Sequence, residues 1–165
     1  MRTERKHNRF AASLLTVVTT MLLLLASCQE RRIYSHYESI DIEAWDKSHE
    51  LELVMPPLSE GGVYQEEIGI RYSKLYPYMF LQLIVEQTVF PQQKKYTDTI
   101  RCDMMNEHGI LKSRGINLSQ RLLPLRTLDL HRGDSIHFRI RHNMRRDILP
   151  GISDIGLVVS HSDHR

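Results

Sequence analysis

The sequence predicts an all-β protein, an antiparallel β-sandwich behind an N-terminal lipoprotein signal peptide. Three observations carry this prediction. Apolar and polar residues alternate with a period of two in six separate segments, and Gly, Pro, Asn and Asp punctuate them. No stretch sustains a 3.6-residue period; Asn143 to Leu149 alone is compatible with a single helical turn or a loop. The N-terminal residues form a leader of the export type that ends at a cysteine.

The leader comes first in the chain. Arg2, Arg5, Lys6 and Arg9 make a basic head with one acidic residue, Glu4, and Phe10 to Leu25 is uncharged. Ser13, Thr16, Thr19 and Thr20 leave it short of the ~20 apolar residues that a bilayer span needs, which favours a cleaved signal over a retained helix. Leu25-Ala26-Ser27-Cys28 resembles a lipobox: a branched apolar residue, two small residues that fit a peptidase site, and a thiol able to form a thioether to diacylglycerol. The expected organisation is a signal peptide over 1–27, a lipidated tether over 28–32, and one β-sandwich domain over 33–165. A tether of about five residues reaches no more than ~18 Å.

The strands follow in order. Glu50 to Met55 alternates and stops at Pro56-Pro57. After the turn-like Ser59-Glu60-Gly61-Gly62, residues Tyr64, Glu66, Ile68, Ile70 and Tyr72 form one mostly apolar row. Met79, Leu81, Leu83 and Val85 form the next, ending near Pro91. Ile100, Cys102 and Met104 oppose Thr99, Arg101 and Asp103 before an Asn106-to-Gly109 turn. Arg132-Gly133-Asp134 reads as a turn rather than an adhesion tripeptide, because Gly-Asp is a common turn pair. Beyond it Ile136, Phe138 and Ile140 oppose His137, Arg139 and Arg141, and Ile155 to Val159 makes a short final strand.

Charge and titratable groups narrow the function. The chain carries 22 basic and 20 acidic residues, a net +2. Removing Glu4 and the four basic residues of the leader changes this to −1, so no general attraction to nucleic acid is expected. With Cys28 consumed by lipid, Cys102 has no intramolecular partner and reads as a buried thiol. His36, His49, His108, His131, His137, His142, His161 and His164 read as scattered surface residues, since none falls at metal-ligand spacing. No nucleophile elbow or phosphate-binding loop is present. No enzyme activity, cofactor or metal is therefore expected, and no catalytic residue is assigned.

Two features are candidates for binding. Basic residues gather in Arg139 to Arg146, followed by the apolar, turn-bearing Ile148-Leu149-Pro150-Gly151-Ile152. Arg139 and Arg141 fit the solvated face of a strand, whereas Arg145 and Arg146 fall in a loop, where binding residues tend to sit. The candidate partner surface is therefore Arg145, Arg146, Ile148, Leu149 and Ile152. Aromatics cluster at Tyr34, Tyr37 and Trp45, and at Tyr72, Tyr76 and Tyr78, where they either fill the core or stack on sugar rings.

The chain resembles the GldH gliding-motility lipoproteins of Bacteroidetes. The residues that carry the likeness are the lipobox, Ile33 to Glu38, Trp45-Asp46-Lys47, Pro56 to Tyr64, Ile68 to Arg71, Tyr76-Pro77-Tyr78, Leu83 to Thr88, and above all Arg141 to Gly156. The resemblance implies a non-enzymatic, periplasm-facing envelope lipoprotein of a gliding machinery associated with type IX secretion. Its expected partners are the membrane, through acyl chains on Cys28, and other motility or secretion proteins. A lipid-tethered glycan-binding module is the alternative.

Overall fold

The computed structural model describes residues 32–112 and 118–162. The predicted signal peptide, Cys28 and most of the tether lie outside the described residues, as does His164. The described residues form ten strands: β1 (Arg32–Ser39), β2 (Trp45–Asp46), β3 (Leu51–Met55), β4 (Gly62–Ser73), β5 (Phe80–Phe90), β6 (Lys94–Asp103), β7 (Leu118–Leu130), β8 (Ser135–His142), β9 (Ile148–Leu149) and β10 (Ile152–His161). One sheet has the order β1-β10-β4-β7 and the other β3-β8-β5-β6, and every pairing is antiparallel. With the two-residue strands β2 and β9 set aside as a small separate ladder, the other eight strands follow the jelly-roll order, crossing between sheets at every connection except the β5–β6 hairpin.

The predicted apolar rows are the inner faces. Leu51, Leu53 and Met55 on β3, Leu81, Leu83 and Val85 on β5, and Ile136, Phe138 and Ile140 on β8 line one side of the core. Tyr64, Ile68, Ile70 and Tyr72 on β4, with Ile155, Leu157 and Val159 on β10, line the other. Each such side chain contributes roughly 1.5–3 kcal/mol by leaving water. Cys102 lies within this core, and burial raises its thiol pKa.

Two full-length strands had no counterpart in the alternation. β1 is an edge strand, mostly exposed, so its sequence shows no buried face. β7, the opposite edge of that sheet, contains Pro124, and its register shifts where Glu66 and Glu67 pair with Arg126 and Pro124. The extra residue, Leu125, breaks the alternation, and an edge position tolerates a proline that lacks an N–H. Met79, expected in the buried row of β5, is instead 56% exposed: it precedes the strand, and its carbonyl accepts the N–H groups of Met104 and Met105.

Chain direction sorts the connections to two ends of the sandwich. The connections over 40–50, 74–79 and 143–151 and the segment beginning at 104 lie at one end. The connections over 56–61, 91–93 and 131–134 lie at the other, together with Arg32, which pairs with Ser160. The 12 residues of β4 at about 3.3 Å each separate the two ends by roughly 40 Å.

Candidate functional site

The loop over 143–147 is held at several points. The Asn143 N–H donates to the Gln82 carbonyl (2.8 Å), the Lys47 ammonium to the Met144 carbonyl (2.9 Å), and the Lys47 N–H to the Asp147 carbonyl (2.7 Å). Trp45 and Asp46 on β2 pair with Leu149 and Ile148 on β9. The fully buried Trp45 ring meets the His142 imidazole edge to face (5.1 Å, 77°). His142 is thus no surface histidine; it occupies an inner position of β8, and burial holds its pKa below the usual imidazole value.

The structure divides the five predicted binding residues. Arg145 and Arg146 are exposed, and Ile148 is 45% exposed. Leu149 and Ile152 are fully buried in the core, so they cannot present themselves to a partner. Alternation decides this: Ile148 and Leu149 point to opposite sides of β9, and Ile152 sits across from the inner-facing Tyr72. Gly151 joins the two halves with φ +88°, and a Cβ there would run into the Tyr76 backbone. Leu149 to Ile152 therefore anchors the arginine bend.

Beside that bend lies a groove of about 770 Å³. Phe80 and Gln82 from the outer face of β5 and Arg101 and Asp103 from β6 form its base. Met105 and Lys112 stand on one side, and Asn143 to Arg146 on the other. Arg101 lies 3.9 Å over the Phe80 ring and ion-pairs with Asp103 (3.0 Å). Tyr78 also lines the groove, so the two regions that the sequence offered as rival sites converge on one place. Tyr76 does not join it: the ring is buried, its hydroxyl donates to the Phe80 carbonyl, and Tyr78 packs against it edge to face (5.5 Å).

Charge pairing separates the loop arginines from Arg139 and Arg141 on β8. Arg139 pairs with Glu86 (2.7 Å) and Glu50 (3.8 Å), and Arg141 with Glu50 (3.6 Å), as solvated strand faces do. Among the described residues Arg145, Arg146 and Lys112 have no ion pair. Likewise, no group of three His, Cys, Asp or Glu side chains is placed to hold a metal ion.

One titratable group interrupts the apolar row of β4 that the sequence marked out. Glu66 is fully buried and faces Gln87 of the opposite sheet and Arg126 of β7. Its carboxyl oxygens make no hydrogen bond of good geometry, and burial pushes its pKa up to about 7. Nearby, Arg126 forms a two-pronged pair with Asp98 (2.8 and 2.9 Å) that ties β7 to β6 across the seam between the sheets.

Comparison with known proteins places this geometry. The "Gliding motility lipoprotein GldH homolog" of Christiangramia forsetii is 29% identical over 152 residues, covering 87% of this chain and 92% of that protein. The "Gliding motility lipoprotein GldH" of Flavobacterium johnsoniae is 25% identical over 154 residues, with 86% and 92% covered. Among solved structures, the Eiger TNF of S. frugiperda covers 82% of this chain and 96% of its own at 14% identity and a TM-score of 0.34, a likeness that says nothing about function. The family described as "GldH lipoprotein" matches residues 32–159, from the first residue of β1 nearly to the end of β10. That span contains all of the sandwich but the last two residues of β10, with the groove and the arginine bend, and on it the chain belongs to the GldH lipoprotein family.

Proposed function

We propose that this lipoprotein is a non-enzymatic interaction component of the gliding machinery and its associated type IX secretion apparatus, anchored through Cys28 and facing the periplasm. The observation that carries this reading is the pair of unpaired arginines, Arg145 and Arg146, held on a pinned bend at one end of the jelly roll. Arg32, where the tether enters β1, belongs to the other end. With a tether reach of no more than ~18 Å and a sandwich roughly 40 Å long, an acylated Cys28 leaves the arginine end free for other proteins. Acyl chains contribute about 0.8 kcal/mol per buried CH₂ and raise the local concentration of the domain at the membrane.

The test is crosslinking in the native envelope followed by mass spectrometry, comparing wild type with the Arg145→Glu/Arg146→Glu variant. The reading expects loss of the crosslinked envelope proteins, with unchanged melting temperature and membrane fractionation. An unaltered crosslinking pattern overturns it. A glycan-binding role has one observation in its favour, Tyr78 in the groove, and specific binding on a glycan array would support it.

A further inference from the structure

We propose that the groove beside Arg145 and Arg146 receives an acidic peptide segment of a partner protein, with a large apolar side chain as its anchor. This inference rests on the interaction role proposed above and names the partner's chemistry.

Charge complementarity supplies the first argument. Asp103 is committed to Arg101, which leaves Lys112, Arg145 and Arg146 facing a single lining carboxylate, Glu107. The rim is therefore net basic on a domain whose other charges lean acidic, so the preference for anions is local. Lys112 and the two arginines stand on opposite sides of the base, so carboxylates on a bound segment have cations on both flanks.

The apolar lining supplies the second argument. Met79, Met105 and Met144 all line the groove, and Met79 is more than half exposed. Methionine is unbranched and polarizable, and a cluster of them fits varied apolar side chains. A phosphate or polyanion would use the cations and leave this apolar surface uncovered. A sugar needs an open aromatic face, yet Arg101 covers the Phe80 ring, which leaves only the half-buried Tyr78 to stack on one. Membrane lipid is disfavoured by direction, because the chain enters the sandwich at the other end. An acidic segment with an apolar anchor uses both parts of the site.

The experiment displays random dodecapeptides and selects them on the full acylated protein in nanodiscs, with empty nanodiscs as control. Expected winners carry two or more Asp or Glu residues around a Leu, Met or Phe, and bind more weakly as salt rises. Met79→Ser and Lys112→Glu, both at exposed positions, should each weaken binding by about tenfold with unchanged melting temperature. Failure to enrich any peptide, enrichment of basic or purely apolar peptides, or undiminished binding by both variants overturns the inference. Selective glycan binding lost in Met79→Ser would do the same. The two readings fail separately: if Arg145→Glu/Arg146→Glu abolishes envelope crosslinks while Met79→Ser and Lys112→Glu bind and crosslink normally, the interaction role stands and the groove is not its seat.

Discussion

The ring of Tyr37, on edge strand β1, lies in the space where a side chain on Gly156 of the neighbouring β10 would stand. A Cβ built at Gly156 falls 2.5 Å from Tyr37 Cδ1, and one at Gly69, the next position across the sheet, meets the same ring at 2.6 Å from Cζ. Arg71 of β4 stacks over the ring (3.9 Å), and the Gln120 amide of β7 donates to its hydroxyl (2.9 Å). One tyrosine thus spans all four strands of the sheet and fastens the strand that the tether enters.

Gly156→Ala should therefore loosen β1 selectively. We expect a loss of about 1–3 kcal/mol, the usual cost of overpacking. Hydrogen exchange should quicken over Arg32–Ser39 more than over β5 or β8. Unchanged exchange in β1 would show that the ring moves aside freely.

Glu66 makes stability depend on pH with a definite sign. Its folded pKa of about 7 lies above the ordinary carboxyl value of 4.5, so the fold prefers the protonated form. The stabilisation is fully present below about pH 4.5 and is lost as pH rises through about 7. His142 acts oppositely, since burial lowers its pKa, so the whole-protein curve mixes the two. Glu66→Gln isolates one of them: its stability advantage over wild type should grow between pH 5 and pH 8, by about 3 kcal/mol at most. A difference that stays flat in chemical denaturation across this range would place Glu66 in contact with water.

The two halves of the 145–152 segment should respond oppositely to substitution. Leu149→Ala empties core volume beside Trp45 and should cost about 2–5 kcal/mol. Ile148→Ser should change stability by less than about 0.5 kcal/mol, as surface substitutions do. Thermal melts of the two variants read this directly, and equal shifts would contradict the assigned facing of β9.

Cys28→Ser should abolish incorporation of labelled palmitate and release the protein from membranes, while its far-ultraviolet circular dichroism keeps the wild-type form. Persistence in the membrane fraction at the wild-type level would mean that something other than a thioether-linked lipid holds the protein there.

The inner rows of β3, β4, β5 and β8 and the Gly133 turn were legible in the sequence. Each is local: a strand with one face buried writes that fact into every second residue, whatever it pairs with. β1 and β7 were not legible, since an exposed edge strand has no dry face and the Leu125 bulge scrambles the other pattern. The groove was only half legible. Its arginines and Tyr78 stood out singly, but residues some 65 positions apart in the chain meet only through the β5–β6 and β5–β8 pairings. Which of Ile148, Leu149 and Ile152 faces outward was likewise settled by the partners of β9 and β10. By itself the sequence determined which residues must leave water; the tertiary structure decided what they leave it for, because pairing between distant strands depends on the whole sheet order rather than on any one segment.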